Sequence, residues 1–302
     1  MYLGIDFLIA PDLSPHVIEV NLGLPGGAQE YDLTCLVHNG RTSDVFRTIE
    51  EISREAYGKP FRDYLHSVPW LACLKAFKLW MDGQGTFPTE FHPALRLEDK
   101  WVQYRILSPR FPMPETIVFD PENRAEAERF LARKQRLIGK RRLGRGGRGF
   151  TLIDGPGDLP VESAGEYGRL LQERIDSRLG PYVFSLRSIA FGGRHVCLYA
   201  NLSSRPFSNH GILTYVESGD HPGLSGEPVL TRSFDKRSWE AEIWFGASEP
   251  PYLRHNLYED EVAEASLVLP AGLLASIKDI SVRIERYYEN LDLESLPRAL
   301  FE

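Results

Sequence analysis

The apolar pattern at the start of the chain predicts a β-hairpin. Residues 2–9 are mostly apolar with one acid, Asp6, inside the run, and residues 16–20 form a second short run that is followed at once by Asn21. A turn bounded by prolines separates the two runs, which favours antiparallel pairing. Residues two apart on a strand project from the same face, so Glu19 and Asn21 share a face that Asp6 can meet from the neighbouring strand.

Later segments show apolar residues at helical spacing, which predicts helices. These helices cover residues 43–57, 61–81 with an interruption at Pro69, 97–107, 122–134, 165–175 and 270–291. Strands are predicted over 116–119 and, as a hairpin that turns at Gly192-Gly193, over 182–202. Residues 217–256 are rich in Gly, Pro and charge and give no clear prediction. The mixture of helices and strands indicates an α/β (α+β) fold.

A glycine-rich hairpin tip with many lysine and arginine residues lies near the middle of the chain. Apolar runs at 137–138 and 150–153 flank it. The glycines and cations between and beside these runs are Gly144, Gly146, Gly147, Gly149, Lys140, Arg141, Arg142, Arg145 and Arg148. Glycine lets the backbone approach a ligand closely, and successive free N–H groups form an anion-binding concavity. Phosphate is therefore a natural ligand for this tip.

Three interpretations of the tip remain open at this point. It is a flexible basic loop, an Arg-Gly segment that binds nucleic acid, or a lid over nucleotide phosphates. The net charge of −7 argues against nucleic acid as a partner, because the basic run is a local feature of an acidic protein. The tip matches neither a Walker loop nor a dinucleotide-binding fingerprint.

The cysteine content, the N-terminal sequence and the length of the apolar runs indicate the cellular compartment. The three cysteines, Cys35, Cys73 and Cys197, are widely spaced and odd in number, which fits a reducing cytoplasm better than a disulfide framework. The N-terminus lacks the features of a signal peptide, and no apolar run reaches the ~18–20 residues that span a bilayer. We expect a cytoplasmic protein that binds neither nucleic acid nor membrane.

The N-terminal hairpin offers a candidate metal site. Asp6, Glu19 and Asn21 would bring three oxygen ligands to one point, which suits a hard divalent cation such as Mg²⁺. The alternative is a polar stripe that faces solvent, and the apolar neighbours on both strands argue against it. The Gly/Pro loop 22–27 follows directly, and its N–H groups could receive a carboxylate.

The order of these features resembles the ATP-grasp family. Leu97-Glu98-Asp99-Lys100 resembles the helix whose lysine touches the ATP phosphates. Lys140 resembles the second lysine, on the strand before the glycine-rich lid loop 144–149. The resemblance thus assigns ATP binding to Lys100, Lys140, Gly144, Gly146, Gly147, Arg148 and Gly149.

Further along the chain the resemblance continues in the family's usual order. Residues 171–175 resemble the hinge, where backbone and a carboxylate hold adenine and ribose; Gln172 and Glu173 would occupy those positions. Arg187 resembles the strand arginine that contacts the reacting phosphoryl group, which makes it the candidate catalytic residue. Asn209-His210-Gly211 resembles the polar loop that follows, with Asn209 as an ATP contact.

One motif is out of order. In the family, the metal-binding strands come last, as Asp, then Glu-x-Asn, then a Gly/Pro loop, whereas here Asp6, Glu19 and Asn21 come first. The C-terminal helix 270–291 resembles the helix that normally precedes that closing strand. The resemblance therefore implies a circularly permuted ATP-grasp fold, in which two α+β subdomains grip ATP, with a short helical insert.

The implied organisation has four parts. The metal-binding strands occupy 1–39, a small helical region 40–115, the lid subdomain 116–175, and the C-terminal subdomain 176–302. Residues 40–97 depart from the family, whose usual preceding domain is an α/β unit, so the substrate is not implied.

Members of this family use ATP to join a carboxylate to an amine or another nucleophile through an acyl phosphate. The resemblance implies such a ligase, with ATP and Mg²⁺ (Mn²⁺ as a second option) and small, amino-acid-like substrates. A phosphotransferase on the same scaffold and a non-catalytic ATP-binding module are the alternatives. A homodimer, and a role for His210 or His221 as a base in place of a plain loop histidine, stay open.

Overall fold

A large β-sheet organises most of the chain. The computed structural model describes residues 1–23, 25–81, 83, 85–144, 149–160, 168–204, 211–235 and 259–302. The strands there are β1 Leu3–Ile9, β2 Pro15–Leu22, β3 Thr116–Phe119, β4 Leu137–Arg141, β5 Thr151–Ile153, β6 Arg169–Glu173, β7 Arg178–Leu179, β8 Tyr182–Phe191, β9 Arg194–Ser203, β10 Ile212–Ser218, β11 Gly223–Leu224, β12 Leu230–Asp235, β13 Glu259–Ala263 and β14 Leu267–Leu269. The large sheet has the order β11-β14-β10-β9-β8-β1-β2, with β7, β12 and β13 paired beside it.

The helices lie mainly around this sheet. Within the described ranges they are α1 Ala28–Asn39, α2 Val45–Tyr57, α3 Phe61–Ser67, α4 Leu71–Met81, α5 Lys100–Leu107, α6 Arg124–Lys134 and α7 Ala271–Glu289. A short 3-10 helix, Pro93–Glu98, precedes α5. None of the helices in these ranges is both long enough and apolar enough to cross a membrane. The architecture is mixed α+β with two sheets.

The N-terminal hairpin is part of the large sheet. β1 pairs antiparallel with β2 and, on its other side, with β8. Leu3 lies opposite Ala190 and Phe7 opposite Leu186 in that second pairing. The N-terminal hairpin and the hairpin predicted over 182–202 therefore belong to one sheet.

Alternation along these strands gives the large sheet two different faces. Ile5 and Phe7 of β1 and Leu186 of β8 are buried in one core together with Ile284 of α7. The opposite face of β8 carries Phe191, which packs against α2 and α3 in a second core. Farther along that same face, polar side chains replace apolar ones, and they line the cleft described below.

The second sheet is small and antiparallel, with the order β3-β6-β4-β5. Helix α6 lies against it, since Phe130 and Leu131 share a core with Phe119 of β3 and Leu171 of β6. The sheet and α6 fall within the segment predicted as a lid subdomain, 116–175.

One prediction of secondary structure is wrong, and one helix was missed. A helix was predicted over 165–175, of which the structure describes residues 168–175. The prediction is wrong there, because residues 169–173 form strand β6 between β3 and β4. Leu170, Leu171 and Gln172 are buried in succession, so the alternation that identifies a strand is missing. Helix α1 was not predicted, because its buried side carries polar residues such as Gln29, Glu30 and Asp32.

Candidate functional site

A cavity of about 160 Å³ lies between the two sheets. Its polar lining comes from both of them and from the start of α5: Glu19, Lys100, Lys140, Gln172, Ser185 and Asn201. Its apolar lining includes Ile18, Ile138, Phe150, Val183 and Phe184. The structure thus brings together four of the residues singled out in the sequence, Glu19, Lys100, Lys140 and Gln172.

Lys100 connects the large sheet to the base of the glycine-rich tip. It opens α5 directly after the N-cap Asp99, whose side chain accepts from the Trp101 N–H. Its Nζ lies 3.1 Å from Glu19 Oε1 and donates to the carbonyl oxygen of Gly144 at 2.6 Å. A single ammonium therefore bridges a carboxylate on β2 and the backbone where the tip begins.

Lys140 reaches the same cavity from β4. Its Nζ donates to Gln172 Oε1 at 3.0 Å and lies 3.5 Å from the carbonyl oxygen of Ile18. Gln172 is oriented by a second bond, from its Nε2 to Thr116 Oγ1 at 2.8 Å. Lys140 is only 5% exposed. Burial, with a further contribution from Lys100, lowers the pKa of Lys140 to about 8, although Glu19 acts in the opposite direction.

Glu19 is the carboxylate that these two ammonium groups share. Burial by itself would raise the pKa of Glu19, but Lys100 and Lys140 outweigh burial, and the pKa lies below its usual range. Glu19 is therefore ionised near neutral pH. The cavity holds two cationic positions and one anion, so the lysines are arranged to accept more negative charge.

Arg187 lies beside the cavity and is tied to Asp6. The two residues are opposite each other on β8 and β1. Arg187 Nε donates to Asp6 Oδ1 at 2.6 Å and its Nη2 to Asp6 Oδ2 at 2.7 Å, while Nη1 lies 3.3 Å from the carbonyl oxygen of Gly26. Burial would lower the pKa of Arg187, but Asp6 raises it well above its ordinary value. The guanidinium is held in one orientation, against the loop that follows β2.

The predicted metal ligands share one face, but Asp6 is already engaged. Asp6 is opposite Glu19 in the pairing of β1 with β2, and Asn21 donates from Nδ2 to Asp6 Oδ2 at 3.0 Å. Both oxygens of Asp6 accept from Arg187. Asn21 has its Oδ1 to offer a cation, and Glu19 has a second oxygen beside the one that Lys100 contacts, whereas Asp6 fits only after Arg187 releases it. Within the described ranges, no group of three or more His, Cys, Asp or Glu side chains could hold a metal.

Other predicted residues are not brought to the cavity. Glu173 Oε2 accepts from Lys134 at 3.0 Å and lies 3.3 Å from the Glu115 N–H, and Glu173 is not among the lining residues. Its role toward ribose remains a prediction. Gly144 and Gly149 flank the glycine-rich tip, and Gly149 has a positive φ of 80°. Four of the predicted contacts lie outside the described residues: Gly146, Gly147, Arg148 and Asn209.

Several lining residues were not singled out from the sequence. Ser185 and Asn201 are opposite each other on β8 and β9, and Ser203 lines the cavity as well. Ser185 is two residues before Arg187, so strand alternation places both on one face. That periodicity was the available signal for Ser185. Asn201 and Ser203 depend on the register between strands, which the sequence does not show.

Comparison with known proteins does not identify a family, because no protein-family model matches the chain and a search of curated proteins returns no match.

Proposed function

We propose that this chain is an ATP-dependent carboxylate–amine ligase with a circularly permuted ATP-grasp fold. The observation that carries the proposal is the convergence of Lys100 and Lys140, from two different elements, on one cavity between the two sheets. Lys100 also holds Gly144, at the base of the glycine-rich tip. Two lysines beside a glycine-rich backbone segment suit a polyphosphate.

The electrostatics of the cavity support a phosphate ligand. Lys140 is buried, and its pKa is lowered to about 8 because the negative charge of Glu19 does not offset the effects of burial and of Lys100. A triphosphate would supply negative charge to both lysines and thereby stabilise their charged forms. The apolar lining by Ile138, Phe150 and Phe184 offers a surface for the flat face of a base.

Metal binding forms part of the proposal. Glu19 and Asn21 would hold Mg²⁺, and Mn²⁺ would also be accepted by such oxygen donors. The ion would neutralise charge on the phosphates. Asp6 would join these ligands only if Arg187 gave up its bonds to the carboxylate.

The loop between β2 and α1 would bind the carboxylate substrate. Arg187 lies against this loop through the Gly26 carbonyl, so a carboxylate placed there would lie near a fixed guanidinium. In the first step a carboxylate oxygen bonds to the γ-phosphorus and ADP leaves. In the second, the amine bonds to the carbonyl carbon, phosphate leaves and the amine loses a proton. Arg187 would stabilise the oxyanion between these events, as preorganised donors do.

Trapping of the intermediate tests the reaction class. The protein is incubated with ATP, Mg²⁺, hydroxylamine and a panel of small carboxylates, and ADP and hydroxamate are measured. We expect both products in equal amounts with at least one carboxylate, because hydroxylamine captures acyl phosphates. ADP with a stable phosphoester and no hydroxamate would instead identify a phosphotransferase, and ATP binding without turnover would identify a non-catalytic module.

A pair of lysine variants links that activity to the cavity. Lys100→Ala removes the ammonium between Glu19 and Gly144 and should abolish ADP release. Lys278→Ala is the matched control, because Lys278 is exposed on α7, which packs on the face of the large sheet away from the cavity. Equal activity of the two variants would contradict the proposed site.

A further inference from the structure

The outer edge of β2 is covered by side chains from three other elements. β2 is the last strand of the large sheet, with β1 as its neighbour. Lys140 Nζ, from β4, lies 3.5 Å from the Ile18 carbonyl oxygen. Lys78 Nζ, from α4, donates to the Leu22 carbonyl oxygen at 2.5 Å. Between these two positions, the backbone of Val20 is bonded by a single side chain of α5.

That side chain is Gln103, which makes the bonds of a neighbouring strand. Its Oε1 accepts from the Val20 N–H at 3.0 Å, and its Nε2 donates to the Val20 carbonyl oxygen at 2.8 Å. The Nε2 also donates to the Leu97 carbonyl oxygen at 2.6 Å. A primary amide has the same donor and acceptor as a peptide group. With 3% of its surface exposed, Gln103 makes these bonds away from water.

The position of Val20 makes this contact relevant to the site. Val20 lies between Glu19 and Asn21, so bonds to its backbone fix the strand from which both side chains project. Gln103 is three residues after Lys100 on α5, and residues at this spacing are neighbours on one helix face. Lys100 contacts the Glu19 side chain. One face of α5 therefore contacts both the carboxylate and the backbone next to it.

We infer that Gln103 is a positioning residue for Glu19 and Asn21, acting as a substitute for a missing neighbouring strand. The amide sets where β2 lies relative to α5, and hence where both side chains lie relative to Lys100. The expected consequence for nucleotide binding rests on the proposed function. The positioning itself is a property of the ligand-free protein and is tested separately.

The test substitutes two buried residues that make side-chain hydrogen bonds, Gln103 and a control, and compares the variants in the whole chain. Gln103→Met keeps the length of the side chain and removes all three bonds, whereas Gln103→Glu keeps the acceptor for the Val20 N–H. The control is Ser281→Ala on α7, because Ser281 is buried and donates to Ser188 Oγ at 2.8 Å on the face of the sheet away from the cavity. Two quantities are measured on folded protein: the Asn21 side-chain amide resonance without ligand, and the affinity for ATP with and without Mg²⁺.

We expect Gln103→Met to shift the Asn21 amide resonance and to weaken the Mg²⁺-dependent part of ATP binding by about 10- to 100-fold, the range for groups that orient metal ligands. Ser281→Ala should change neither quantity. If Gln103→Met does not fold, Gln103→Glu decides, with a change in the same direction, because a carboxylate cannot donate to the carbonyl oxygens of Val20 and Leu97. An Asn21 resonance that is unmoved in the folded variants would overturn the inference. Absence of ATP binding in the wild type would instead overturn the proposed function, while the Asn21 resonance would still decide the role of Gln103.

Discussion

Asp6 and Arg187 are joined by two parallel hydrogen bonds between neighbouring strands, at 2.6 and 2.7 Å. Their side chains are 13% and 27% exposed, so water screens the pair only weakly. The pair occupies the face of the sheet that also carries Glu19. The pair therefore stabilises the hairpin. It also determines whether the Asp6 carboxylate and the Arg187 guanidinium are available to a ligand.

Removal of the carboxylate should be costly. Asp6→Ala leaves the partly buried guanidinium of Arg187 without its partner, and we expect the free energy of unfolding to fall by about 2–4 kcal/mol, between the values for exposed and fully buried pairs. Asp176→Ala is the control, because Asp176 pairs with Arg178 at the surface, where the side chains are 42% and 43% exposed and such pairs contribute about 0–1 kcal/mol. Urea unfolding at pH 7 measures both. Similar losses in the two variants would mean that the Asp6–Arg187 pair is not a buried ion pair.

Lys140 should make stability rise with pH on the alkaline side. Its pKa is about 8 in the folded protein against 10.5 ordinarily, so between these values the unfolded chain binds more protons and stability increases with pH. The difference corresponds to roughly 3 kcal/mol across this window. Lys140→Met should lose this gain relative to wild type. The pKa of Lys134 is raised despite partial burial, because Glu173 and Glu115 stabilise its charge, so Lys134→Met should not reproduce the loss.

Nucleotide binding should take up a proton at alkaline pH. Near pH 9 a lysine with a pKa of about 8 is largely neutral, and a nearby triphosphate would raise that pKa and draw in a proton. Calorimetry of Mg²⁺-ATP binding in two buffers of different ionisation enthalpy measures the uptake, which we expect to approach about one proton. Lys140→Met should bind without this buffer dependence. Buffer-independent binding by the wild type would place the phosphates away from Lys140.

His195 should lower the free energy of unfolding as the solution becomes acidic. Burial, aided by the charge of Lys278, lowers the pKa of His195 to about 4 from 6.5. As the pH falls from 6.5 to 4, the unfolded chain binds the proton first, so the folded state loses up to roughly 3 kcal/mol. His195→Gln should flatten the loss of stability between pH 6.5 and 4, as followed by urea unfolding. An unchanged slope would show that His195 is protonated as easily in the folded protein as in the unfolded one.

The elements with a clear period were predictable. The N-terminal hairpin shows two apolar runs joined by a turn, the second hairpin shows apolar runs around the Gly192-Gly193 turn, and the helices near 122–134 and 270–291 show an apolar stripe that their cores bury. The ATP-grasp resemblance singled out Lys100, Lys140 and Gln172, and the spacing in the N-terminal hairpin singled out Glu19; the structure places all four at one cavity. The ATP-grasp resemblance and the permutation stay proposals.

The rest depends on pairing between distant segments. β6 carries no strand signal, because three consecutive residues are buried and only its partners β3 and β4 make it a strand. Gln103 looks like an ordinary polar residue of a helix, and its importance comes from the backbone group of Val20, which is 83 residues away. Long-range placement of this kind leaves no periodic trace in the sequence.

The pairing of β1 with β8 also has a consequence for biosynthesis. Asp6 and Arg187 are 181 residues apart, so at a synthesis rate of about 5–20 residues per second the N-terminal hairpin waits roughly 10–40 s for its partner strand. An isolated two-stranded hairpin is marginally stable in water. During this interval Ile5 and Phe7, both buried in the finished protein, lack β8 and α7, which complete their core. The hairpin thus reaches its final environment only late in synthesis, and this is the stage at which a holdase chaperone would have most to bind.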